Sequence, residues 1–267
     1  MKIGIVGASG RMGRMNIAEV LKDEKTTLAS ALEAEGSKFI GHDAARLESE
    51  STGEVKITDN IPEFLSKSEA IIDFSRPEAT LNLARHASEL GVIHIIGTTG
   101  LSAEQEKQLE EYAAKIPIVY APNMSVGVNL LFALTRKVAS VLDEDYDIEV
   151  VEMHHRHKVD SPSGTALGIG KAAADGRNVN LEDVWCKSRD GITGERQKGE
   201  IGFATLRGGD VVGDHTAVFA AEGERIELTH KASDRSIFSK GAVRAALWAK
   251  DKNPALYSMA DVLGIDF

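Results

Sequence analysis

The sequence predicts the α/β class, with a doubly wound parallel sheet followed by a smaller α+β region. Three observations predict it. Short apolar runs alternate with helical patterns as far as Pro122, and a glycine-rich turn separates the first run from the first helix. Beyond Pro122 a long helical stretch gives way to alternating strands punctuated by glycines. Such alternation implies parallel strands with helices on both faces, because each crossover must return the chain to the same end of the sheet.

In chain order, KIGIV (2–6) is a short buried strand, and Met12, Met15, Ile17, Val20 and Leu21 then supply the inner face of a helix. TTLASALE (26–33) is a second strand ending at Glu33, which completes a strand-helix-strand unit of about 30 residues, the length a crossover needs. The pattern recurs as strand AIIDF (70–74), helix RPEATLNLARHASELG (76–91), strand VIHIIG (92–97), helix SAEQEKQLEEYAAK (102–115) and strand IPIVYAP (116–122). Pro77 sits in a first helical turn, and Ser102 with Gln105 three residues on makes a capping box. After Pro122 a helix is predicted over 126–142, then the strand-like YDIEVVEMHH (146–155), then a helix starting near Ser163. RIELTH (225–230) alternates as a strand should, and AEGE (221–224) offers a hairpin turn. The last stretch, 236–267, returns to helical spacing, so Phe238, Val243 and Leu247 need a surface to pack on.

Apolar residues are 42% and charged residues 27% of the 267, the balance of a globular protein rather than a disordered or fibrous one. Forty-one Asp and Glu face 31 Lys and Arg, and the net charge of -10 disfavours nucleic acid and anionic membrane as partners. Cys186 is the single cysteine, which excludes an internal disulfide and a thiolate-rich zinc centre and fits a cytoplasmic location. No apolar run approaches a membrane span, and no targeting segment is expected at the start of the chain.

Gly7, Gly10 and Gly13 form GxxGxxG between the first strand and the first helix. Glycines there permit a tight turn, close approach of backbone to a pyrophosphate and close packing of helix on strand, while the helix N-terminus offers N–H groups to the anion. Context raises this short pattern above chance. Glu33 ends the second strand 20 positions beyond Gly13, where a carboxylate would bind a ribose, and Arg11 adds a cation. The plainer alternative is a structural turn with a solvated Glu33. GTTG (97–100) and APNM (121–124) follow later strands, and loops at the carboxyl ends of a parallel sheet line its ligand crevice. Both are expected at the nicotinamide end of a dinucleotide, although Thr98 and Thr99 could also simply cap the next helix.

EMHHRHKVDSPSGTA (152–166) places five consecutive basic side chains in an acidic protein. A metal site would use His155 and His157 on one face of an extended strand, but cysteine ligands are missing and no metal centre is expected. A solvated basic edge is the plainer reading, against which stands the mutual repulsion of five adjacent cations. An anion site able to move protons is the third, since His exchanges protons near neutral pH and Lys attracts a carboxylate. DSPSGTA then starts a helix whose N–H and hydroxyl donors suit a second carboxylate, so the pattern points to a small dianion.

The glycine turn, GTTG, APNMSVG and EMHHRHKVDSPSGTA in this order, with GERQKGEIGFATLRGGDVVGDH and ELTHKASDR, resemble the dihydrodipicolinate (4-hydroxy-tetrahydrodipicolinate) reductase family of lysine and diaminopimelate biosynthesis. The likeness runs over essentially the whole chain, and the HHRHKxDxPSGT run is its most specific part. It implies a Rossmann-like nucleotide domain, 1–125 completed by 235–267, around an α+β domain, 126–234, that binds substrate and assembles a homotetramer. It also implies reduction of a cyclic, imine-containing dicarboxylate with NADH or NADPH. By motif position, the resemblance makes His154 the proton donor or acceptor, Lys158 a second proton donor and His155 a substrate ligand, with Gly164 and Thr165 holding a carboxylate. It assigns the cofactor wall to Gly7, Ala8, Ser9, Gly10, Arg11, Met12, Glu33, Gly97, Thr98, Thr99, Ala121, Pro122, Asn123 and Met124. Arg156 and His157 receive no role.

One position departs from many of the family's NADP-using members, which carry an arginine directly after the strand-ending acid, where this chain has Ala34. Glu33 alone favours free ribose hydroxyls over a 2′-phosphate, with Lys38 or Arg11 the possible compensation, so NADH is expected to serve at least as well as NADPH. The alternatives are another two-domain NAD(P)-dependent dehydrogenase of a small dicarboxylate and a nucleotide sensor without chemistry. Replacing His154 and Lys158 separates an enzyme, which loses turnover, from a sensor, which has none to lose.

Overall fold

The computed structural model describes residues 1–47 and 53–265. The chain divides into two compact units, Met1–Val126 with Ser236–Gly264, and one built on Gly127–Arg235. The first unit begins β1 (Lys2–Val6), α1 (Arg11–Lys22), β2 (Thr27–Leu32), β3 (Ile57–Thr58), α2 (Ile61–Ser66), β4 (Ala70–Asp73), α3 (Pro77–Leu90), β5 (Ile93–Ile96), α4 (Ala103–Ala113) and β6 (Pro117–Tyr120). β4 and β5 are buried at every position, as strands covered on both faces must be. α4 starts on the capping box: the Ser102 hydroxyl accepts from the Gln105 N–H and the Gln105 side chain accepts from the Ser102 N–H. β3 and α2 were not expected, because two strand residues and six helical ones are too short to show a period.

The second unit carries α5 (Val126–Val141), β7 (Asp147–His154), α6 (Gly164–Gly176), α7 (Leu181–Val184), β8 (Trp185–Cys186), β9 (Ile201–Arg207), β10 (Gly213–Ala221) and β11 (Glu224–Ala232). Its sheet has the order β11-β10-β7-β9-β8, with β9 parallel to β7 and β8, and β10 antiparallel to β7 and β11. Ile148, Val150, Ile201, Phe203, Ala217 and Phe219 point to one face and pack with Ala166, Ile169 and Ala173 of α6. β7 alternates buried and half-buried positions without a break, which sends Glu152 and His154 to the same face as Ile148 and Val150. The strand stops there. His155 and His157, which only the metal reading put on one strand face, lie in a turn closed by the Lys158 N–H on the His155 carbonyl. The reason is the end of the β7–β9 ladder at His154 opposite Arg207, after which the Arg156 N–H bonds to the Gly209 carbonyl.

The chain then returns to the first unit as α8 (Ser236–Ala249), β12 (Ala255–Tyr257) and α9 (Met259–Leu263). β12 pairs with β6, and the sheet reads β12-β6-β5-β4-β1-β2-β3, parallel throughout. Ile3, Ile5, Ile72 and Ile95 form one core with residues of α1, α8 and α9, and Val6, Ile71, Ile96 and Ile118 form the other with residues of α2, α3 and α4. Val243 and Leu247 find their surface in the first of these cores. Strand order reverses between β1 and β4, which places the ligand crevice of such a sheet at the carboxyl ends of these strands.

Candidate active site

In the first unit the turn after β1 is built for close approach. Gly7 has φ +62°, in the left-handed region, and a Cβ on Gly13 would stand 2.0 Å from the Gly7 carbonyl oxygen. Gly10 precedes α1 in the N-cap position with no side-chain cap and no acidic residue in the first turn, so the helix end presents its N–H groups to an incoming anion. Arg11 is exposed, and Ala8 is buried with its N–H on the Leu32 carbonyl. Glu33, one residue past β2, folds back onto the turn: its Oε1 accepts from the Ser9 N–H at 2.8 Å and the Ser9 hydroxyl at 2.7 Å, and its Oε2 from the Ala34 N–H at 3.1 Å. The spacing-based pairing of Glu33 with the glycine turn is therefore a physical contact. Residues with these properties fit a dinucleotide, with the pyrophosphate at Gly7–Met12 and a ribose at Glu33.

Around the carboxyl ends of β4, β5 and β6 the side chains mostly turn inward. Thr98 is 2% exposed; its hydroxyl accepts from the Ser75 N–H and the Thr80 hydroxyl and sits 3.4 Å from Asp73 Oδ1. Asp73 is itself buried against His94, 3.3 Å away. Burial pushes the Asp73 carboxyl up, yet the bonds from His94, Ser75 and Thr80 outweigh it and hold the group below the usual carboxylate range. Met124 packs in the core and Ala121 donates its N–H to Ile96. Ala8, Thr98 and Met124 thus offer a ligand backbone only, whereas Thr99 and Pro122 are exposed and Asn123 is half-buried.

In the second unit the basic run divides by environment. His154 is 8% exposed and its Nδ1 lies 2.6 Å from the Glu152 carboxylate. Arg207 grips both oxygens of that carboxylate at 2.8 and 3.0 Å. Burial raises the Glu152 carboxyl, but the bonds from Arg207 and His154 win and it stays below its ordinary range. Ser163 caps α6 by accepting from the Ala166 N–H, and its own N–H donates to Glu152. Gly164 follows at the helix start, where an added Cβ would meet nothing within 4 Å, leaving room for a ligand over the helix end. Lys158 reaches Asp160 at 2.8 Å. His155 stands near Arg235, and burial followed by the charges of Arg235, His157, His154 and Lys158 lowers its pKa. Among the described residues no three His, Cys, Asp or Glu side chains gather into a metal-sized cluster.

Family models of dihydrodipicolinate reductase match the chain end to end, the N-terminal one over residues 1–124 and the C-terminal one over 127–263. The chain belongs to the dihydrodipicolinate reductase family. A relative named 4-hydroxy-tetrahydrodipicolinate reductase from Roseobacter denitrificans is 52% identical over 99% of this chain and 97% of its own, and one from Parvibaculum lavamentivorans is 53% identical over 100% and 98%. A solved dihydrodipicolinate reductase with bound dipicolinate, from Paenisporosarcina sp. TG-14, superimposes with TM-score 0.75 at 23% identity over 98% of both chains, a likeness of fold. GenD2 from gentamicin A biosynthesis, solved in complex with NAD, has TM-score 0.58 at 12% identity over 99% of this chain and 90% of its own, again a likeness of fold.

Within this member of the dihydrodipicolinate reductase family, sequence reasoning passed over Glu152, Asp160, Arg207, His215 and Arg235, which bond to the basic run, to Ser163 at the helix start or to one another. A signal for Glu152 was present. Period-two alternation in DIEVVEMH aligns it with Ile148, Val150 and His154, and an acid on a core-facing row calls for a partner.

Proposed function

We propose that this chain reduces 4-hydroxy-tetrahydrodipicolinate, or dihydrodipicolinate after loss of water, to tetrahydrodipicolinate in lysine and diaminopimelate biosynthesis. The observation that carries the reading is the end-to-end match, about half identical, to relatives named for that activity. The geometry agrees with it. A nicotinamide cofactor, when bound, supplies the hydride. The chain's own groups bind and protonate: Gly164 and Thr165 at the start of α6 take one substrate carboxylate, His155 orients the ring, and His154 and Lys158 stand as proton donors. Reduction adds one hydride and one proton across one double bond, so negative charge develops on the conjugated system and nearby acids and cations lower the barrier. Gly7–Met12, Glu33, Gly97–Thr99 and Ala121–Met124 form the cofactor wall.

NADH serves at least as well as NADPH in this proposal. Glu33 is a carboxylate aligned by Ser9 for ribose hydroxyls and opposes a 2′-phosphate, Ala34 brings no cation, and the Lys38 ammonium lies over the Phe39 ring, 5.3 Å from its centroid. The protein works in the cytoplasm as a homotetramer, with residues 126–234 as substrate-binding and assembly domain. The test is cofactor oxidation with freshly generated dihydrodipicolinate and each nucleotide. The expected result is turnover with both, lost in the His154→Ala/Lys158→Ala variant while NADH binding persists. No turnover overturns the activity, and a preference for NADPH of several hundredfold overturns the cofactor reading.

A further inference from the structure

Glu152 is a buried carboxylate, 1% exposed, on the core-facing row of a strand whose other members include Ile148 and Val150. Burying an ionised group is unfavourable, and an apolar side chain in the same place commonly serves a fold as well or better. The position accepts the charge because every lone pair is used. Oε2 takes the N–H of His154 Nδ1 at 2.6 Å and Arg207 Nη1 at 2.8 Å. Oε1 takes the Ser163 N–H at 3.0 Å, Arg207 Nη2 at 3.0 Å and the Thr205 hydroxyl at 3.4 Å.

We propose that Glu152, resting on the reductase reading above, is a positioning residue: it holds His154 with the proton on Nδ1, leaves Nε2 as the nitrogen that exchanges a proton with the substrate, and ties that ring to the helix start that binds the substrate carboxylate. An ionised carboxylate can only accept, so Nδ1 keeps its hydrogen whether the ring is neutral or charged. Nε2 alone can then lose and regain one. Nε2 has no protein hydrogen-bond partner among the described residues, and Gly213 lies beside it, where a Cβ would come to 3.0 Å. Arg207 grips both carboxylate oxygens, which fixes the plane in which the histidine must lie. Through Ser163 the same carboxylate sets the first turn of α6, so the acid and the anion-binding N–H groups keep one geometry.

The experiment compares wild type, Glu152→Gln, His154→Asn and the double variant in NADH oxidation with fresh dihydrodipicolinate. Glu152→Gln keeps the shape but loses the obligatory acceptor, so kcat falls about 100-fold or more, while KM for NADH stays within about twofold. In the His154→Asn background the same change lowers kcat no further, because its effect passes through the ring. Equal losses in both backgrounds would overturn the proposal. Should Glu152→Gln fail to fold, long-range nitrogen–proton correlation spectra of histidine-labelled wild type decide: the neutral His154 ring is expected with its hydrogen on Nδ1, and a hydrogen on Nε2 overturns the idea. Wild type that never oxidises NADH with this substrate refutes the reductase reading instead, and the spectra still report on Glu152.

Discussion

His215 shows what the fold can do to one residue. It is 4% exposed, its Nε2 lies 2.9 Å from the Ser163 hydroxyl, and its ring meets that of His154 edge to face at 5.0 Å. Burial first, and the neighbouring His154 second, push its pKa from 6.5 to about 4. A base with a depressed pKa is neutral in the folded state while the unfolded chain already binds a proton, so stability falls as pH drops from 6.5 and levels off near 4. The size of that loss is about 3 kcal/mol. Urea unfolding at stepped pH is expected to show it in wild type and not in His215→Gln; identical slopes for the two proteins would count against it. None of this could be read from GDHTA, since burial is not a property of five residues. Glu33 and Gly7 were legible because their chemistry lies in spacing and backbone geometry close in sequence.

At the scale of elements, long periodic stretches were legible and short ones were not. α3, α4, α5 and β7 lie where the periodicity places them, whereas β3 and α2 have no period to detect. β7 stops one residue short of the predicted His155, because a ladder stops where its partner strand turns away, and that partner lies far along the chain. α6 carries the prediction that belongs here. Ser163→Ala removes the cap from the Ala166 N–H and the hydroxyl from buried His215, losses of about 1 kcal/mol for the cap and about 1–3 kcal/mol for the stranded imidazole. Chemical denaturation is expected to show roughly their sum, and KM for the substrate to rise as the first turn loosens. A variant as stable as wild type would mean that neither bond contributes.

At the scale of the whole molecule, the first unit is discontinuous in sequence and depends on the later stretch Ser236–Gly264. Ala242, Val243, Ala245, Ala246 and Ala249 of α8 are buried in the core that also holds Ile3, Ile5, Ile72 and Ile95. A chain stopped at Arg235 leaves that face of the sheet to water, and exposed apolar area of this kind drives misassembly. Such a chain is expected to lose the cooperative thermal transition seen by circular dichroism; a truncated protein melting like wild type would show that α8 is dispensable to the core. The sequence by itself determined the alternation of strands and helices, the glycine turn with Glu33 twenty positions beyond it and the basic run around His154, because periodicity, spacing and residue type act over windows of a few to some thirty residues. Only the tertiary structure decided which of those basic groups is buried and what holds it. Arg207 reaches Glu152 across 55 positions and His215 reaches Ser163 across 52, and contacts at that separation depend on strand register and packing, which no local pattern encodes.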